Sequence, residues 1–358
     1  MSPAPNPFPK SSPGNFFEDF RVGQVIRHPT PRTVTAGDVA VYQACYGGRF
    51  AVQSSTAFAK SIGYATAPID DLLVFHIVFG KTVPDLSLNA VANLGYADLR
   101  FLKPVFPGDT LCASTEIIGL RENSNKESGV VYVRSTGFNQ TGEAVLTFAR
   151  WVMVRKRDKA AAVADAVVPA LPKQVEAADL GHAVPPINAE GYDRQLAGSP
   201  YLWSDYAVGE RIDHIDGMTI EEAEHQLATR LYQNTAKVHF DQKHAEDNSR
   251  FGRRLVYGGV IISLARALSF NGLANAFHVA AINGGRHAAP AFAGDTVYAW
   301  SEVLDRAEIP CRSDIGALRL RTVATKNLAC ADFPGPSEPA TANAGVILDL
   351  DYWVAMPR

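Results

Sequence analysis

Pro104-Val-Phe-Pro-Gly-Asp-Thr110 returns later in the chain as Pro290-Ala-Phe-Ala-Gly-Asp-Thr296. Phe17-Glu-Asp-Phe-Arg-Val-Gly-Gln-Val-Ile-Arg-His28 likewise returns as Trp203-Ser-Asp-Tyr-Ala-Val-Gly-Glu-Arg-Ile-Asp-His214. Both pairs stand 186 residues apart, and Ser114-Thr115-Glu116 against Trp300-Ser301-Glu302 keeps the register. Two matches this far apart at one offset require no net gap between them, the mark of an internal duplication. The halves are expected at 15–157 and 201–358. Residues 158–200 form the linker, because their Ala, Pro and Val hold neither a period of 2 nor a sustained period of 3.6.

Each half reads as helix plus antiparallel sheet. In the second half Thr219-Ile-Glu-Glu222 has the form of a capping box, and Ala223, Leu227 and Leu231 recur at i, i+4 and i+8. Tyr257-Gly-Gly259 opens a second helix, Val260 to Leu268, apolar nearly all round and so expected inside. Leu318-Arg-Leu-Arg321 and Val346-Ile-Leu-Asp-Leu-Asp351 alternate as strands, as do Val130–Arg134 and Val145–Arg155 in the first half. The fold class expected is α+β: one buried helix wrapped by a curved antiparallel sheet, made twice.

Composition narrows the function. The 358 residues carry a net charge of -3, with 34 Lys+Arg against 37 Asp+Glu, which leaves no basic excess for a nucleic acid. The Pro-rich start, MSPAPNPFPKSSPGN, lacks the apolar core of a signal peptide. Leu255–Phe270 is too short to span a membrane and carries Arg266. The four cysteines show no CxxC spacing, so neither a zinc site nor a disulfide frame is expected and reduced cytoplasm fits best.

Subtracting one half from the other isolates candidate chemistry. Asn234, His239 and Asp241 face Gly48, Gln53 and Ser55; Tyr257, Gly258, Gly259 and Ser263 face Asp71, Leu72, Leu73 and Ile77. The polar trio and the glycine-opened helix occur in the second half only. Asn-x4-His-x-Asp, then Tyr-Gly-Gly-x3-Ser, then Pro-x-x-x-Gly-Asp-Thr resembles the MaoC-like hydratases of the hot-dog fold. Their pattern is Asp-x-Asn-Pro-x-His-x-Asp followed by His-Gly-x4-Ser. The resemblance covers both halves, as in double hot-dog members, and implies a tandem hot-dog with a degenerate N-terminal half. It places His239 on the catalytic histidine, Asn234 on the catalytic aspartate and Ser263 on the helix serine. Asn234 for the acid, Lys237 for the proline and Tyr257 for the histidine before Gly258 are departures that point away from straight-chain enoyl-CoA. Among hot-dog hydratases the two-half chain is most similar to the mesaconyl-CoA (2-methylfumaryl-CoA) hydratases, which interconvert that thioester and β-methylmalyl-CoA.

Hydrating a 2-enoyl thioester needs a base for water, a proton for the α-carbon and donors for an enolate oxygen. Histidine titrates near neutrality, so His239 is expected to act as the titrating group with Asn234 positioning water. Backbone N–H groups of Gly258 and Gly259 at a helix start suit the thioester oxygen, with Tyr257 beside them. Ser263 either meets substrate or bonds back to a helix carbonyl. Asp241 reads as an N-cap, and Asp109 and Asp295 as turn residues. Arg49 and Arg286 are candidate anion contacts. His239, Asp241 and His244 form no closed ligand set, so no metal and no cofactor is expected. The expected partner is an acyl-CoA thioester, with no nucleic acid and no membrane, and the chain is expected to be a homo-oligomer. Another (R)-specific enoyl-CoA hydratase, an acyl-CoA thioesterase and a non-catalytic acyl-CoA-binding protein are the rival readings.

Overall fold

The offset of the duplication governs the architecture element by element. The computed structural model describes residues 10–335 and 345–358, so the start of the Pro-rich leader lies outside the described residues. The first half runs β1 (Val25–Thr33), α1 (Ala36–Tyr46), α2 (Ala51–Ser54), α3 (Thr56–Ser61), α4 (Asp71–Leu86), β2 (Ala90–Phe101), β3 (Thr110–Glu122), β4 (Ser128–Phe138) and β5 (Ala144–Arg155). After the short α5 (Arg194–Ala197), the second half repeats it. Its elements are β6 (Arg211–Asp213), β7 (Met218–Thr219), α6 (Glu222–Leu231), α7 (Lys237–Phe240), α8 (Gln242–Asn248), α9 (Gly258–Leu268), β8 (His278–His287), β9 (Thr296–Glu308), β10 (Ile315–Lys326) and β11 (Val346–Pro357).

The strands form one 11-stranded antiparallel sheet, β1-β3-β4-β5-β2-β8-β11-β10-β9-β6, with β7 beside β9. The halves are joined through β2 and β8, where Tyr96 faces Gly285 and Leu99 faces Ile282. The sheet wraps two central helices, α4 and α9, whose residues are buried almost throughout. Side chains from both helices enter a single core cluster, so the halves share one interior.

Equivalent bonds recur in both halves. His28 spans Asp85 and Thr115 at 2.7 Å each, and His214 spans the Asn271 carbonyl at 2.7 Å and Ser301 at 2.8 Å. Asp109 and Asp295 each accept a backbone N–H three residues upstream, at 2.8 and 2.9 Å, and so close matching turns. Across the pseudo-twofold relation Tyr46 and Tyr232 meet hydroxyl to hydroxyl at 2.6 Å. Gly80 allows α4 to come this close to the end of α6, because a Cβ there would overlap the Tyr232 carbonyl.

Three expectations need correction. Thr219 does not cap α6: its hydroxyl pairs with Thr296 at 2.8 Å in the β7–β9 ladder, and Glu221 occupies the cap without a side-chain bond. The helical period of α6 is right but its buried face is not. Leu227 is exposed, whereas His225, Ala228, Thr229 and Leu231 turn inward. The connecting segment also carries structure. It has short turns at Ala177–Asp179 and Ala189–Gly191, and Val175, Leu180, Val184, Ile187 and Tyr192 bury themselves in a cluster with residues of both halves, among them Phe58, Ile62 and Phe277.

Candidate active site

The end of α6 sets the site. Gln233 adopts a left-handed φ of 55°, which turns the chain out of the helix, and the next residue, Asn234, is 2% exposed. Its Oδ1 accepts the Ala236 N–H at 3.1 Å, an Asx turn that leads into α7. Its side-chain amide N–H groups have no hydrogen-bond partner among the described residues. Asp241 ends α7 and caps α8 by accepting the His244 N–H at 2.9 Å, so it serves the backbone. Among the described residues no group of three His, Cys, Asp or Glu side chains is placed to hold a metal ion.

His239 lies on α7. Leu255 holds that turn from both sides: its N–H reaches the Val238 carbonyl at 3.0 Å, and its carbonyl meets His239 Nδ1 at 2.8 Å. A carbonyl only accepts, so Nδ1 carries the proton and Nε2 keeps its lone pair. Burial pulls the His239 pKa down to about 4, against the raising effect of the Leu255 bond. The imidazole is therefore neutral at pH 7 and available as a base through Nε2.

Tyr257 precedes α9, and its ring lies 5.5 Å from that of His239. His225 Nε2 accepts the Tyr257 N–H at 3.0 Å, which fixes the entry of the chain into the helix. No side chain caps α9, and the Tyr257 carbonyl takes the N–H of Val260 at 2.9 Å. The N–H groups of Gly258 and Gly259 thus stand at the positive end of a buried helix with no partner among the described residues. A Cβ on Gly258 would overlap the His287 ring, so glycine is the residue that fits between helix and histidine.

His287, at the end of β8, completes the cluster. Its Nε2 is buried without a partner, as is the Tyr257 hydroxyl. Burial and the nearby His239 hold the His287 pKa at about 4; burial likewise takes His225 and His76 to about 3. The Tyr257 hydroxyl is pushed well above its usual range by burial and stays protonated. Neutral imidazoles, a neutral phenol and two backbone N–H groups without partners among the described residues therefore lie together at the start of α9. Tyr96 of β2 packs beside them, 6.1 Å from His287 ring to ring, and Phe79 of α4 lies 5.7 Å from Tyr257.

Asn234 thus lies buried in the turn between α6 and α7, and His239, Tyr257, Gly258 and Gly259 are gathered at the N-terminal end of α9. Ser263 is not free to meet a ligand from there. Its hydroxyl receives the Tyr42 O–H at 2.9 Å and lies 3.0 Å from His76 Nε2, tying the halves together. It does not bond back to a helix carbonyl either. Arg49 falls elsewhere, its guanidinium 4.6 Å over the Phe270 ring, beyond the opposite end of α9. Arg286 is exposed on β8 with Asp349 across the ladder, while the next residue, His287, turns into the site. His287 escapes a motif search, yet it stands at the offset from Phe101, so the same subtraction of halves exposes it.

The match to the family of mesaconyl-CoA hydratases extends over residues 10–335. The β-methylmalyl-CoA dehydratase of Chloroflexus aurantiacus is 63% identical over 350 residues, covering 98% of this chain and 99% of that protein. The mesaconyl-CoA hydratase of Cereibacter sphaeroides is 59% identical over 350 residues, covering 98% and 100%. The crystal structure of a MaoC domain protein dehydratase from Chloroflexus aurantiacus superposes with a TM-score of 0.94 at 61% identity, covering 98% and 99%. A double-hotdog protein from Mycobacterium tuberculosis shares the fold at a TM-score of 0.75 and 24% identity, covering 97% and 99%. With the duplicated sheet, the two wrapped helices and relatives matched end to end, the chain belongs to the mesaconyl-CoA hydratase family and has its tandem hot-dog fold.

Proposed function

We propose that the chain adds water reversibly across the double bond of mesaconyl-CoA to give β-methylmalyl-CoA, with His239 as the proton-transfer group. The observation that carries this reading is the tautomer of His239. Leu255 holds the proton on Nδ1 and leaves Nε2 as a base beside the uncapped start of α9. Relatives at 63% and 59% identity named for the two directions of one reaction support the choice of substrate.

In the forward direction His239 Nε2 takes a proton from water while the oxygen bonds to the β-carbon. The π electrons move to the thioester oxygen, where the N–H groups of Gly258 and Gly259 stabilise the enolate. His239 then returns its proton to the α-carbon, so water is consumed and no other group changes. An imidazole held below its usual range suits the second step, because its conjugate acid gives up the proton readily. Asn234 presents its amide to orient the water without adding a charge.

The test is incubation of purified protein with mesaconyl-CoA. Loss of enoyl-thioester absorbance without release of free thiol is the expected result. Thiol release would make the chain a thioesterase, and binding with no spectral change would make it an acyl-CoA-binding protein.

A further inference from the structure

Arg150, on β5, is 1% exposed, and its guanidinium lies 4.2 Å over the Phe79 ring. One terminal nitrogen donates to the Thr82 hydroxyl at 2.9 Å and approaches the Ser87 hydroxyl at 3.4 Å, whereas Nε is buried with no partner. Among the described residues no carboxylate pairs with it. Arg266 makes the contrast: it is also buried, but it faces Asp70 and Asp71. Burial lowers the Arg150 pKa only to about 10, so it remains a cation at neutral pH. A desolvated cation without a counter-charge is costly, and a folded protein ordinarily avoids it.

Its position supplies a reason. Arg150 stands opposite Tyr96 in the β2–β5 ladder, and Tyr96 packs against His287. Phe79, on which the guanidinium rests, packs against Tyr257, and Tyr257 against His239. Arg150 therefore borders the catalytic cluster from the N-terminal half. The seventh residue of β11, the strand equivalent to β5, is Tyr352 rather than a base, and its hydroxyl lies 3.0 Å from that of Thr322. The buried cation beside Tyr352, Arg266, comes from α9 and faces Asp70 and Asp71, so only the side that holds His239 has a buried cation with no carboxylate facing it among the described residues.

We propose that Arg150 is the counter-charge for the free carboxylate of a dicarboxylic acyl-CoA and selects that substrate class, a reading that rests on the hydratase function above. A mesaconyl group carries its carboxylate at the far end of a four-carbon acyl chain, and the planar guanidinium offers a carboxylate two parallel N–H donors. The N-terminal half, without a catalytic histidine of its own, thereby supplies specificity.

Binding of two saturated, unreactive thioesters tests this: succinyl-CoA, which bears the carboxylate, and butyryl-CoA, which does not. Calorimetry on wild type should give succinyl-CoA an advantage of at least about 30-fold. Arg150→Gln should abolish that preference, and Arg150→Lys should restore part of it. Equal affinities in wild type, or a preference unchanged in Arg150→Gln, would overturn the assignment. If Arg150→Gln does not fold, Arg150→Lys decides: a preference reduced but not lost is expected, and one unchanged from wild type would overturn the assignment. A succinyl-CoA preference lost in Arg150→Gln, with no hydration of mesaconyl-CoA by wild type, would support Arg150 as the anion site and overturn the hydratase reading instead.

Discussion

Asn234→Asp puts a carboxylate where this site keeps a neutral amide. The change preserves shape: Oδ1 can still accept the Ala236 N–H at 3.1 Å, which stabilises the charged form and keeps the Asx turn. At 2% exposure the new charge is nearly dry, and its second oxygen replaces the unpartnered amide that we propose orients the attacking water. A mesaconyl carboxylate brought alongside would be repelled. At an effective dielectric near 20, two like charges about 4 Å apart cost about 4 kcal/mol, and about 2 kcal/mol at twice the distance. That range corresponds to a loss of about 30-fold to about 10³-fold in kcat/KM for the dicarboxylic thioester. Crotonyl-CoA carries no carboxylate and should escape the penalty. Steady-state hydration of both thioesters by wild type and Asn234→Asp measures the difference. An equal loss on the two substrates would refute the charge argument.

Other outcomes follow from the same geometry. Gly258→Val should cost about 10²- to 10³-fold in kcat with thioester binding kept, since its side chain meets His287 and covers the backbone donors; an unchanged kcat would move the oxyanion site elsewhere. Because His239 must be neutral to act and its pKa lies at about 4, below the ordinary 6.5, kcat/KM should hold from pH 7 to about 5 and fall toward pH 4; a limb near 6.5 would contradict the desolvation of its ring. Buried histidines with lowered pKa take up protons on unfolding, so stability should decline as pH falls below about 6.5, and circular dichroism at each pH separates that from the catalytic limb. Tyr232→Phe should leave the buried Tyr46 hydroxyl without its 2.6 Å partner and lower stability by about 1–3 kcal/mol in denaturant unfolding; an unchanged midpoint would show the pair to be dispensable.

The duplication was readable because Phe17 to Glu116 and Trp203 to Glu302 keep one offset, without net insertion. That spacing located α9, the strands and His239. It also held the means to find His287, opposite Phe101, but that histidine sits in no motif and meets His239 only when β8 folds beside α9. Arg150 was hidden for another reason. The chain between β10 and β11 is longer than that between β4 and β5, so β5 and β11 fall out of register and the Arg150–Tyr352 difference is invisible to a fixed offset. The α6 face was misjudged because apolarity was taken as the guide. Its buried stripe contains His225, which is polar because it anchors the Tyr257 backbone. Arg49 stood as a candidate anion contact, yet an aromatic partner, Phe270, holds it at the other end of the helix. Local rules fail here mainly where the site imposes other demands.

The most direct measurement compares His239→Ala with Gln53→Ala, its counterpart in the N-terminal half, in hydration of mesaconyl-CoA. Gln53 donates to the Phe277 carbonyl at 2.7 Å and takes no part in the cluster around α9's first turn. We expect His239→Ala to remain folded and lose about 10²- to 10⁴-fold in turnover, with Gln53→Ala close to wild type. Near-wild-type turnover in folded His239→Ala would remove His239 from the reaction and contradict the proposed chemistry.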